Sequence, residues 1–233
     1  MSAVRDAETL RSVAEAARRD LDGAPTIRVL DWAREEFGDK FAVASSMQDA
    51  VLPHLASRVM PGVDVLFLDT GYHFAETIAT RDRVAQEYDI TLRNLTPTQS
   101  VAEQDASYGK DLFSRDPDLC CTLRKTHPLD DALDGYEAWA TGVRRSEAVT
   151  RRDTPVVSFD ERRERIKVAP IVAWSDTDVE EYIEAYGVIS NPLLTQGYPS
   201  IGCATCTRRV APGEDARAGR WAGQDKTECG INL

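Results

Sequence analysis

Val63-Asp64-Val65-Leu66-Phe67-Leu68-Asp69-Thr70-Gly71 is the stretch on which the fold turns. Six residues dominated by Val, Leu and Phe are the length of a buried strand, and a polar turn ending in glycine closes them. A helical segment follows from Phe74 to Tyr88, then a second strand-like run, Ile90-Thr91-Leu92-Arg93-Asn94-Leu95. The same alternation precedes the stretch. Phe41-Ala42-Val43-Ala44-Ser45 reads as a short strand, and a helix from about Gln48 to Val59 ends at Met60-Pro61-Gly62. Strands alternating with helices predict an α/β fold with a parallel sheet.

Outward from this centre, residues 5–37 carry two helical patterns separated by Asp22-Gly23-Ala24-Pro25. Residues 96–127 read as irregular chain or short helices. Tyr136 to Gly142 is expected to add another strand. Val156 to Phe159 and Ile166 to Val168 are expected to pair as short strands, and Thr177 to Tyr186 to form a helix signalled by Ser175-Asp176. Beyond Asn191-Pro192 the chain is rich in Gly, Pro and polar residues. It is expected to lie across the first part rather than fold separately. The expected organisation is one domain over 1–233: N-terminal helices in 1–39, an α/β core in 40–200 and a tail in 201–233.

The chain has 233 residues, 42% hydrophobic and 29% charged, a soluble globular composition that excludes general disorder. A chain this long buries roughly 70–75% of its unfolded surface. Its longest apolar runs are too short to cross a membrane. Met1 to Leu10 carries Arg5, Asp6 and Glu8 and no apolar core of a secretory signal, so a cytoplasmic location is expected. A net charge of −11 argues against a non-specific nucleic-acid binder. Arginines nevertheless cluster at 144, 145, 151 and 152 and at 208, 209, 217 and 220. Such clusters suggest a small anionic ligand, although any one of them alone reads as a solvated surface group.

Ligands of α/β sheets sit at the carboxyl ends of strands. Ser45-Ser46 in the first such turn offers hydroxyls and N–H groups to a phosphate, and alone is also an ordinary helix cap. The turn has no glycine, which points to a smaller group than a pyrophosphate tail. Leu68, Asp69, Thr70 and Gly71 close the next strand at the same edge, where Asp69 suits a ribose hydroxyl or an adenine amine. His73 reads as structural. Thr141 and Gly142 follow a third strand, with Arg144, Arg145 and Arg151 beyond, and guanidinium forks match phosphate and sulfate oxygens.

Five cysteines are present: Cys120, Cys121, Cys203, Cys206 and Cys229. Adjacent thiolates bite poorly on one tetrahedral zinc but reach two irons of one cluster more easily. With Cys203-Ala204-Thr205-Cys206 they make four ligands. Zinc and a redox CxxC remain open on spacing alone. Lys125, four residues past Cys121, would lie over such a cluster if this segment is helical. Cys229 is a candidate nucleophile, or a free surface thiol, with Arg217 and Arg220 upstream as sources of positive charge; Glu228 beside it works the other way.

Taken together, these segments resemble the assimilatory adenylyl-sulfate (APS) reductases, the iron–sulfur branch of the phosphoadenylyl-sulfate reductase family. The matching stretches are Leu66 to Phe74, Cys120 to Lys125 with Pro128-Leu129, Trp139 to Arg145, Asn191-Pro192-Leu193, Gly197 to Thr207, Arg217 to Trp221 and Thr227-Glu228-Cys229-Gly230. The resemblance implies an adenine-nucleotide α-hydrolase-like (Rossmann-like) fold and a [4Fe–4S] cluster held by Cys120, Cys121, Cys203 and Cys206. It implies reduction of adenylyl sulfate to sulfite and AMP in sulfate assimilation and cysteine biosynthesis. Cys229 would form an S-sulfocysteine that thioredoxin reduces. Ser45, Ser46 and Leu68 to Gly71 would hold the nucleotide; Arg144, Arg145 and Arg151 match the family's arginine loop; Lys125, Arg217 and Arg220 match positions near the phosphosulfate. Two departures stand out. Cys229-Gly230-Ile231-Asn232 replaces a common Cys-Gly-Leu-His, and Ser45-Ser46-Met47 replaces a common Ser-Phe-Gly. The alternative, a cluster-bearing ATP-pyrophosphatase-type tRNA thiolation enzyme, needs a glycine-rich ATP loop and a basic RNA surface, neither of which is visible. A redox sensor would leave Cys229 and the arginines unexplained.

Overall fold

The computed structural model describes residues 4–231. Two helices come first, α1 (Ala7–Asp20) and α2 (Thr26–Phe37). Asp6 caps α1 by accepting the Thr9 N–H, and Leu10, Ala14 and Ala17 form its buried stripe. Then β1 (Phe41–Ala44), α3 (Val51–Val59), β2 (Val63–Leu68), α4 (Ala75–Glu87) and β3 (Ile90–Leu95) build a run of neighbouring parallel strands. Short helices α5 (Val101–Tyr108), α6 (Leu112–Arg115) and α7 (Pro117–Cys121) lead into a π-helical turn, Thr122–Thr126, and α8 (His127–Leu133). The chain then crosses to the other side of β1 with β4 (Ala138–Thr141), β5 (Val157–Asp160), β6 (Arg165–Val168) and α9 (Asp176–Tyr186).

The sheet order is β3-β2-β1-β4-β6-β5, with only β5 antiparallel. The strands leave β1 in one direction and return on its other flank at β4, so the crevice of this α/β sheet opens between β1 and β4. The larger core packs β1, β2 and β6 against α1 to α3, with Phe41, Val43, Val65 and Phe67 at its centre. A smaller core on the opposite face gathers Ala42, Leu66, Leu129, Leu133 and Trp139. At the amino edge of the sheet, far along the strands from the crevice, buried Glu137 binds Arg5 (2.6 Å) and Lys40 (2.8 Å) and ties the N-terminal segment down. Among the described residues no helix is long and apolar enough to cross a membrane.

Two differences from the sequence reading have local causes. Helix α3 starts at Val51 rather than near Gln48, because residues 48–50 are taken by another segment. The Gln48 carbonyl accepts the Asn191 N–H (3.0 Å), and the Ala50 N–H donates to Ile189 (2.9 Å). Helix α8 arises where no helix was expected; it continues without a break from the π-helical turn, with Pro128 near its start.

Candidate active site

Three strand ends supply one wall of a cleft. The Ser45 N–H donates to the Leu66 carbonyl (3.0 Å), extending the pairing one residue past β1. The Ser45 Oγ then accepts the Met47 N–H (3.3 Å), and Met47, at φ 58°, turns the chain back. Ser45, Ser46, Leu68, Thr141, Gly142 and Arg144 line this cleft together with Arg151. Lys125 from the π-helical turn, and Arg217, Arg220 and Cys229 from the tail, line it as well. Residues of the tail thus form part of the cleft wall, and Cys229 is buried there, 6% exposed.

Asp69, Thr70, Gly71 and Arg145 are not brought to that lining. Asp69 turns to Arg81 (3.2 Å) and Asn94 (3.4 Å) instead. Thr70 is fully buried; its carbonyl accepts from Arg124, and its Oγ1 lies 3.3 Å from the Cys203 Sγ. Gly71 has φ +73°, and a Cβ there would stand 3.2 Å from the Arg124 Nη2, so this turn needs glycine to let Arg124 pass. Arg145 points to the Thr154 carbonyl (2.9 Å). His73, read as structural in the sequence, does reach the cleft lining; its Nε2 meets the Leu68 carbonyl (2.8 Å), and burial lowers its pKa.

Beside the cleft lies a second cavity lined by Cys120, Cys121, Cys203 and Cys206. Asp116 caps α7 by accepting the Leu119 N–H (2.9 Å), which aims the tandem cysteines inward. The Cys121-to-Lys125 segment is helical, as the Lys125 reading required, but wound as a π-turn. The Ala204 N–H donates to the Tyr72 carbonyl (2.7 Å) and the Trp221 N–H to the Cys206 carbonyl (3.0 Å), which fix the CxxC between the Asp-Thr-Gly turn and the tail. Burial, then the neighbouring Cys203 and Cys206, push the Cys120 thiol up to about 11. Among the described residues no three His, Cys, Asp or Glu side chains gather closely enough for a single metal ion. The four thiols wall a space rather than converge on a point.

Lys125 and Arg220 border both cavities. Burial works against the Lys125 ammonium, but Cys203, Cys229 and Cys121 outweigh it and hold its pKa above the usual value. Arg220 stacks on Trp221 at 4.5 Å and donates to the Ser200 Oγ (3.2 Å), while its buried Nε has no partner among the described residues. The Cys229 thiol is held well below the ordinary cysteine range: the Cys121 thiol bonds to it, burial opposes this, and Lys125 and Arg220 add positive potential.

Sequence reasoning missed Gln48, Asp49, Trp139, Glu147 and Ser200 as cleft residues. Gln48-Asp49 follow the serine pair after Met47 in the same turn, which was the available signal. Glu228 was read as opposing the Cys229 thiolate. Its charge is instead engaged: burial pushes its pKa up, but hydrogen bonds from Arg151 prevail and hold it at about 2. Asn232 lies outside the described residues.

The sequence pattern of the phosphoadenosine phosphosulfate reductase domain matches residues 40–209. A Streptomyces coelicolor protein named adenosine 5'-phosphosulfate reductase is 60% identical, over 98% of this chain and 97% of its own length. One of the same name from Mycolicibacterium smegmatis is 55% identical, over 96% and 95%. Among solved structures, the phosphoadenylyl-sulfate reductase of Candida auris in a phosphate complex superposes with a TM-score of 0.72 at 29% identity, covering 84% of this chain and 96% of that one. The FMN adenylyltransferase of Candida glabrata, at 10% identity and a TM-score of 0.56 over 87% of this chain and 74% of its own, shares the fold alone. With its sheet order, its cleft at the β1–β4 crevice and its near full-length relatives, the chain belongs to the phosphoadenosine phosphosulfate reductase family.

Proposed function

We propose that this protein reduces adenylyl sulfate to sulfite and AMP in sulfate assimilation, through a covalent intermediate on Cys229. The observation that carries the reading is a buried thiol inside a strand-end cleft, with Lys125 and Arg220 supplying its positive potential. The near full-length relatives named for this substrate support it.

The chemistry follows from the groups present. The Cys229 thiolate attacks the sulfate sulfur of the substrate. An S–S bond forms, the S–O bond to the phosphate breaks, and its electron pair leaves with AMP, whose phosphate stabilises the charge. Ser45, Ser46 and Leu68 hold the nucleotide against the ends of β1 and β2; Thr141, Gly142 and Arg144 close the β4 side. Lys125, Arg217 and Arg220 face the phosphosulfate, where cations neutralise the charge gathering on the bridging oxygen. A thioredoxin thiolate then attacks the Cys229 sulfur and expels sulfite. Its second thiol resolves the mixed disulfide and frees Cys229.

Cys120, Cys121, Cys203 and Cys206 would hold a [4Fe–4S] cluster. The donor set fits: four thiols wall one cavity, with cationic Lys125 and the unmet Arg220 Nε at its border. Such a cluster supplies negative charge and a rigid crosslink between α7 and the tail. With Cys121 committed as a ligand, its bond to Cys229 is lost, and Lys125 and Arg220 carry the activation of the nucleophile.

The test is incubation with adenylyl sulfate and no thioredoxin. One sulfonate should appear on Cys229 with an equal amount of AMP, and thioredoxin should release it as sulfite. Cys229→Ser should bind the substrate and yield neither product. A sulfonate mapped to any other residue would end the proposal.

A further inference from the structure

The tail is fastened to the cleft beside its nucleophile by one densely bonded residue. Glu228 is 8% exposed and grips Arg151 with both carboxylate oxygens, at 2.7 Å from Nε and 2.8 Å from Nη2. The remaining edge of Arg151 is taken by Glu147, so its guanidinium is held in place from two sides. The Glu228 Oε1 also accepts the Cys229 N–H at 2.9 Å. Arg217 stands 3.6 Å from the same oxygen and donates to the Thr227 carbonyl at 3.1 Å. A fork-on-carboxylate pair fixes direction as well as distance. The Cys229 backbone therefore inherits its position from Arg151.

We infer that Glu228 is a positioning residue: by docking on Arg151 it sets the Cys229 sulfur for attack, and Arg151 serves as the receptor for the tail rather than as a substrate ligand. The inference rests on Cys229 being the nucleophile. It reassigns Arg151, whose place in an arginine cluster suggested a grip on the phosphosulfate. Its donors toward the cleft are committed to Glu147 and Glu228, while Lys125, Arg217 and Arg220 remain to meet the anion. It also names the contact that must open when the sulfonated cysteine is presented to a reductant too large for the cleft.

A near-attack distance of about 3–3.5 Å tolerates little displacement, and an error of about 1 Å can cost on the order of 100-fold. The experiment compares holoenzyme of wild type, Glu228→Gln, Arg151→Gln and the double variant. Single-turnover formation of the Cys229 sulfonate is read by mass, and adenylyl sulfate affinity is read on a Cys229→Ser background. Each single variant should slow sulfonation by about 10- to 100-fold. The double variant should be no slower than the worse single one, since both remove the same contact. Adenylyl sulfate affinity should change less than about threefold, and hydrogen exchange of residues 226–231 should rise in all three. Additive losses, a tenfold or greater loss of affinity in Arg151→Gln, or sulfonation at the wild-type rate in Glu228→Gln would each overturn the inference. A wild type that forms no Cys229 sulfonate would instead remove the reading beneath it.

Discussion

Cys121 and Cys229 lie side by side in one small apolar cluster with Trp221, one brought by α7 and the other by the tail. A proposed cluster ligand and the proposed nucleophile are thus neighbours, and the proposed ligation of Cys121 would keep them from reacting with each other. In iron-free protein that protection would be gone. Mild oxidation of the apoprotein should therefore cross-link Cys121 to Cys229, seen as a linked peptide pair, with loss of sulfonation that a dithiol restores. Holoenzyme treated identically should keep a free Cys229. Equal cross-linking in both forms would show that Cys121 is not a ligand.

Arg124 is the buried strut under the thiol cavity. It is 3% exposed, donates to the Thr70 and Gln99 carbonyls and to the Gln104 Oε1 (3.0 Å), and lies 5.2 Å over the Tyr72 ring. Arg124→Ala leaves these acceptors buried without their donor. A loss of about 2–4 kcal/mol in unfolding free energy is expected from the hydrogen bonds to a charged group. Because Thr70 also touches Cys203, iron should leave the variant faster on exposure to chelator. Unchanged denaturation and iron retention would refute the strut.

Much of this was legible because it is local. Strands β2 and β3 begin and end where the strand-like runs Val63–Leu68 and Ile90–Leu95 begin and end. Ser175 caps α9 as its place in the sequence indicated. What escaped depends on distant partners. The pairing of residues 48–50 with 189–191 delays α3. Arg144 and Arg145 are neighbours of the same type, yet one faces the cleft and the other the Thr154 carbonyl. Asp69-Thr70-Gly71 sits at the predicted sheet edge but serves Arg81, Cys203 and Arg124. The Glu228–Arg151 pair joins residues from the tail and from the loop after β4, a contact no spacing rule reaches.

Adenylyl sulfate should be preferred to its 3'-phosphorylated analogue. The near relatives carry the name of the former substrate, and the cleft has little free cationic capacity for a second phosphate. Arg144 is paired with Asp176 (2.5 Å), Arg151 with Glu228, and the carboxylates of Asp49 and Glu147 also line the wall. An added dianion there would lose water without gaining a partner. The ratio of kcat/KM values for the two nucleotides should favour adenylyl sulfate by about 100-fold or more. Comparable turnover of both would overturn the preference.

The tail clamp should also carry an acid limb. Glu228 has its pKa held at about 2 against an ordinary 4.5, so the folded state binds its proton less readily than the unfolded one. The stabilisation is therefore complete above about pH 4.5 and is lost as the pH falls toward 2. Glu228→Gln has no proton to gain at this position, so the difference in unfolding free energy between wild type and variant isolates the clamp. That difference should be on the order of 2 kcal/mol at pH 7. It should stay level down to about pH 5 and narrow through pH 4 and 3. Urea midpoints of both proteins across that series measure it, with losses common to the two cancelling. A gap that stays constant from pH 7 to pH 3 would mean that Glu228 does not hold Arg151 as a carboxylate.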